Sequence, residues 1–112
     1  MTEGRRNPDE PLKFIQDRVR ERKVIWTYHV NMRMRSRSIS RAEIIGAVKT
    51  YELIESYPDD KYFPSYLVYV KHEQQVFHVL FAVDVEENNV RVVTAYRPRR
   101  EDWQSDLRTR RR

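Results

Sequence analysis

Hydrophobic positions along this chain change period once. From Leu12 to Val48 they recur at helical spacing, and from Glu52 to Tyr96 they alternate as in strands. Asp9 is placed to cap a first helix running to about Lys23, with Leu12, Ile15 and Val19 forming a narrow apolar stripe at i, i+3, i+7. Val24–Trp26 reads as a short apolar link. Thr27 is placed to cap a second helix over 28–37, on which Ile25, Tyr28 and Met32 share a stripe expected to pack inward. Ser40 and Glu43 make a capping box, with Ile39 and Ile44 at the positions of a hydrophobic staple, so a third helix runs to about Thr50. Gly46 inside it costs roughly 1 kcal/mol relative to alanine; a tight helix–sheet contact would explain it.

The second half predicts a short strand over 52–57, a loop "PDDKYFP", and strands over 65–71, 76–85 and 90–97, rich in β-branched and aromatic residues. The linkers "HEQQ" and "EENN" are short, so the last three form an antiparallel meander. Pro98 ends the last strand. Trp103 and Leu107, at i, i+4, suggest a short C-terminal helix over 101–108. Helices followed by strands define an α+β domain, with the N-terminal helices on one face of a three- to four-stranded antiparallel sheet. Residues 9–108 form the one domain; 1–8 are expected to be loose and 109–112 a disordered arginine tail.

A register follows from the linkers. Pairing Lys71 with Val76 sets Tyr69 opposite His78; pairing Val85 with Val90 sets His78 opposite Arg97 and Val79 opposite Tyr96. Tyr69, His78 and Arg97 then form a row across three strands, on the face the helices leave open, while the Tyr96 ring falls on the core side.

Charge adds a second pattern. The net charge is +5, with 12 Lys/Arg against 6 Asp/Glu over residues 1–50, 3 against 8 over 51–96 and 7 against 3 over 97–112. A basic–acidic–basic layout suits a polyanionic partner for the ends. Cysteine is absent, which excludes thiolate chemistry and fits a reducing cytoplasm. No apolar run approaches a membrane span. With glycine only at 4 and 46 there is no phosphate-binding loop, and no G-x-S-x-G marks a covalent hydrolase. His29, His72 and His78 are not spaced as zinc ligands, and "PDDKY" lacks the calcium-loop pattern, so neither metal nor cofactor is expected.

The remaining chemistry is histidine and arginine. Histidine moves protons near neutral pH and arginine stabilises charge on phosphate. RNA supplies its own 2′-hydroxyl nucleophile, so His78 and Arg97, with Tyr69 for base stacking, suit phosphodiester cleavage without metal. On the second helix His29 and Arg33 lie at i, i+4 and act together if they act. Arg35 and Arg37 read first as a solvated face, and as RNA contacts otherwise.

"TYHVNMRMRSRSISRAEIIGAV", "ELIESYPDDKY", "PSYLV" and "VVTAYRP" together resemble a bacterial domain family of unknown function, number 4258 among such domains, over about Ile25 to Trp103. That family is similar, more remotely, to the BrnT and RelE/ParE toxins, and "RVVTAYR" resembles BrnT's last strand. The resemblance implies a RelE-like arrangement and His29, Arg33, Tyr96 and Arg97 as motif positions. It also implies RNA as target, with mRNA on the ribosome as one form, and a zinc-finger or helix-turn-helix antitoxin as partner. The expectation is a small cytoplasmic toxin that cleaves RNA. The catalytic set is His29, Arg33, His78 and Arg97, and the RNA contacts are Tyr69, Arg35, Arg37 and Tyr96. The alternative is a non-catalytic module that binds nucleic acid or protein.

Overall fold

A computed structural model describes residues 6–112. Most of the expected loose N-terminus, residues 1–5, lies outside the described residues. The chain is α+β. Three helices, α1 (Pro11–Arg20), α2 (Tyr28–Ser36) and α3 (Arg41–Gly46), lie on one face of the sheet formed by β1 (Val24–Trp26), β2 (Glu52–Tyr57), β3 (Ser65–His72), β4 (Gln75–Asp84) and β5 (Asn89–Tyr96). The strand order is β1-β5-β4-β3-β2.

The expected three- to four-stranded antiparallel sheet is corrected to five strands, mixed in direction. The apolar link is β1, which pairs in parallel with β5, Val24 to Val90 and Trp26 to Val92. Three residues are too few to show a period, so only a neighbouring strand reveals it.

The caps form as their residue types require. The Thr27 hydroxyl accepts from Val30 N at 3.2 Å. Ser40 Oγ accepts from Glu43 N at 3.1 Å, while Glu43 Oε1 accepts from Ser40 N at 2.9 Å. Glu10, not Asp9, stands at the start of α1 and makes no side-chain cap. Ile15 and Val19 are buried against the sheet as their spacing predicts.

The stripe expected to pack inward from α2 is corrected. Val30 and Met34 are buried, whereas Ile25, Tyr28 and Met32 are 38%, 77% and 52% exposed. Both stripes have helical spacing, and the direction from which β5 approaches selects between them. Gly46 is also corrected: a Cβ there would meet nothing within 4 Å, so no tight contact requires glycine. Gly46→Ala should therefore raise stability by about 0.5–1 kcal/mol, chiefly by restricting the unfolded chain. A chemical denaturation curve with an unchanged or lower midpoint would contradict this.

The β3–β4 register is as predicted, with Tyr69 opposite His78 and Val70 opposite Phe77. The β4–β5 register is not. The turn pairs Asp84 with Asn89, and Asn88 takes the left-handed conformation (φ 58°) that asparagine tolerates. Beyond Phe81–Val92 a bulge at Val93 inserts one residue into β5, so His78 faces Tyr96. One extra residue exchanges the two faces of everything after it. Ala95 and Arg97 therefore turn toward the helices, and Tyr96 joins Tyr69 and His78 on the opposite face.

The expected C-terminal helix does not form. Residues 99–112 run as turns with one isolated bridge, Trp103 to Arg110, across the second sheet face.

Candidate functional site

A cleft of about 560 Å³ opens where the end of α2 meets the end of β5, lined by Arg37, Tyr96, Arg97, Arg99 and Asp102. Arg37 follows the last turn of α2 and its Nη1 donates to the Ala95 carbonyl at 2.7 Å. Arg97, turned to the helix side by the bulge, donates from Nη1 to the Arg37 carbonyl and from Nη2 to the Ser38 carbonyl at 3.1 Å. Its Nε and Nη2 also donate to Gln75 Oε1, and its guanidinium lies 5.2 Å from the Phe77 ring centre. Carbonyls at a helix C-terminus lack intrahelical donors and carry partial negative charge, so a guanidinium there satisfies both. Most of Arg97's donors are spent on this clamp. Arg99 pairs with Asp102 at 2.9 Å, and that pairing holds the Asp102 carboxyl below the usual range. Three guanidinium groups against one carboxylate leave the cleft positive.

Tyr96 reaches from this cleft to His78, its hydroxyl 3.4 Å from Nδ1. Burial raises the Tyr96 pKa, so the phenol stays neutral. His78 has no exposed surface. Its Nε2 lies 2.7 Å from the Leu107 carbonyl, which can only accept, so Nε2 carries the proton and Nδ1 is the acceptor toward Tyr96. Trp103 meets the ring edge-on at 4.4 Å. Desolvation lowers the imidazole pKa; the Leu107 bond and Glu55 partly oppose it.

The expected row of Tyr69, His78 and Arg97 is thus Tyr69, His78 and Tyr96, for the reason given by the bulge, and it is covered rather than open. Tyr69 is buried, with the Arg108 guanidinium 4.0 Å from its ring centre. His29, Arg33, His78 and Arg97 do not converge. His29 and Arg33 are exposed on α2, and the sheet separates that helix from His78. Arg35 lies apart from the cleft, in a groove with Tyr28, Asn31, Met32 and Arg41. Among the described residues, His29, Arg33 and Arg35 have no side-chain hydrogen bond or ion pair, and no three His, Asp or Glu side chains are grouped to hold a metal. No helix there is long and apolar enough to cross a membrane.

Sequence reasoning missed Glu52, Glu55, Arg108 and Arg110. A bulge between Leu53 and Glu55 puts Glu52 opposite Tyr69 and Glu55 opposite Leu67, so both carboxylates reach the second sheet face. Three apart in a plain strand, they would point to opposite faces. Arg108 grips Glu52 at 2.8 and 3.0 Å, and Arg110 grips Glu55 at 3.0 and 2.9 Å. Arg110, expected in a disordered tail, is one of these two contacts. Only the basic excess of residues 97–112 over an acidic middle hinted at them.

Comparison with curated proteins and with solved structures found no match. A family model does match, over residues 26–97, from the end of β1 through the arginine that clamps α2. By that match, which spans more than half of its length, the chain belongs to the family described as Domain of unknown function (DUF4258).

Proposed function

We propose that the protein is an RNA-directed, toxin-like protein of the cytoplasm that grips the phosphodiester backbone with α2 and the adjoining cleft. One observation carries this reading. Arg33 and Arg35 stand exposed without partners among the described residues, on the helix whose end meets the cleft of Arg37, Arg97 and Arg99. Unpaired guanidinium groups on the helix that ends at a positive cleft, Arg33 one turn before Arg37 and Arg35 at the neighbouring groove, suit phosphate, and Tyr96 offers an aromatic edge for a base. Helices on one face of the sheet support a RelE-like arrangement; the parallel β1 is a departure from it. An acidic antitoxin is the partner we propose for the outer face of α2, where Tyr28 and Met32 are uncovered next to the exposed Ile25 of β1.

The test is binding of a single-stranded RNA oligonucleotide, followed by fluorescence anisotropy across a salt series. Arg33→Gln/Arg35→Gln should weaken binding at least ~10-fold and flatten the slope of log K against log salt by about 1.4, the share of two phosphate contacts. Stability should stay within about 0.5 kcal/mol of the parent. Unchanged affinity and slope would sink the reading.

Metal-independent cleavage by 2′-hydroxyl attack is the second reading, and the exposed position of His29 one turn from Arg33 favours it. His29 would take the 2′-hydroxyl proton as O2′ bonds to phosphorus and the P–O5′ bond breaks, the leaving 5′-oxygen taking a proton from solvent, while Arg33 holds the phosphate. The expected product is a 2′,3′-cyclic phosphate end formed by the parent chain and not by His29→Ala. Intact RNA with the parent chain leaves the binding reading alone.

A further inference from the structure

The second sheet face holds a row of three rings, of which the cleft at the end of α2 reaches only the half-buried Tyr96. Tyr69, His78 and Tyr96 lie side by side across β3, β4 and β5, with ring centres 6.4 Å apart for Tyr69–His78 and 5.4 Å for His78–Tyr96. What closes it is residues 99–112, a segment without helix or strand. Trp103 and the Leu107 carbonyl seal His78 directly. The two ends of the contact, however, are ionic and wet. Side chains in the Arg108–Glu52 pair are 39% and 49% exposed, and those in Arg110–Glu55 are 50% and 23% exposed. Exposed pairs of this kind are weak and screened by salt. Leu107 itself is held at φ 58°, a left-handed backbone unfavourable for a leucine, at the residue whose carbonyl binds His78.

The family match gives an independent boundary. It ends at residue 97, so His78 and its tyrosines lie inside the shared domain and every covering residue lies outside it.

We propose that residues 99–112 are a displaceable strap over a latent Tyr69–His78–Tyr96 site, and that an anionic phosphodiester chain opens it by competing with Glu52 and Glu55 for Arg108 and Arg110. The identity of that anion rests on the RNA reading above; the strap does not. Opening frees two arginines for phosphate at the moment it bares His78 and Tyr69 beside the already accessible Tyr96. The chemistry of the open site is that of a base or acid beside an aromatic platform.

The test is the rate at which diethyl pyrocarbonate modifies His78, read by mass spectrometry against the exposed His29 in the same molecule. In the parent chain His78 should react at least ~10-fold more slowly than His29, the mark of a protected site. Glu52→Gln/Glu55→Gln should bring it to within about threefold of His29 without any RNA, with the circular dichroism spectrum retained. If that variant loses its fold, Arg108→Gln/Arg110→Gln serves in its place. Saturating single-stranded RNA should speed His78 modification in the parent chain about fivefold or more. Continued protection of His78 in a folded variant overturns the strap. RNA that binds while His78 stays protected overturns displacement and leaves the RNA reading standing. Absence of RNA binding, with His78 exposed in the variant, overturns the RNA reading and supports the strap.

Discussion

His78→Ala should lower stability by about 3 kcal/mol and the melting temperature by roughly 10–15 °C. The side chain is fully buried, and its removal leaves a cavity between Trp103 and the two tyrosines. It also leaves the Leu107 carbonyl, on a half-buried residue, without its donor, which adds about 1 kcal/mol. The same burial sets a pH dependence. His78 has a depressed pKa in the folded chain, so below the ordinary imidazole value of about 6.5 the unfolded chain binds the extra proton first. Its contribution is therefore complete above about pH 6.5 and is lost as pH falls from there through the folded value. Urea midpoints of parent and variant should differ most above that pH and converge on acidification. A loss below about 1 kcal/mol at pH 7.5 would contradict the buried placement.

Arg97→Ala should cost about 2 kcal/mol, because the guanidinium holds the Arg37 and Ser38 carbonyls at the end of α2 and stacks on Phe77. Arg97→Lys should recover only part, since a single ammonium cannot reproduce the planar fork across both carbonyls and Gln75. RNA affinity should fall in Arg97→Ala as a consequence, through displacement of Arg37 and the cleft. Arg33→Gln should instead lose affinity with its stability retained. Equal denaturation midpoints for Arg97→Ala and the parent would show that the clamp carries no weight.

Several features were legible along the chain because they depend on near neighbours. The Thr27 cap, the Ser40–Glu43 box, the stripe of Ile15 and Val19 and the β3–β4 register all follow from residues within a few positions of one another. The site was less legible. Its arginines were visible as a basic stretch, yet which of them face solvent, which clamp backbone and which pair with carboxylates depends on segments 50 to 60 residues away. Arg97 is an instance. Its place at a strand end suggested a phosphate contact, and it is bound to the end of a helix.

What the sequence by itself determined is the α+β class, the starts of α2 and α3, the core face of β3 and β4, and membership in the family. Periodicity and capping are local, so they survive without knowledge of the fold. What only the tertiary structure decided is the parity of β5 and the fate of the C-terminal segment. One unpaired residue, Val93, sends Tyr96 to one face and Arg97 to the other. A second bulge beside Ile54 turns Glu52 and Glu55 to the same face as Tyr69, beneath Arg108 and Arg110. A bulge leaves almost no signature in composition or period, yet it exchanges the two faces of every residue beyond it, because side chains alternate strictly along a strand.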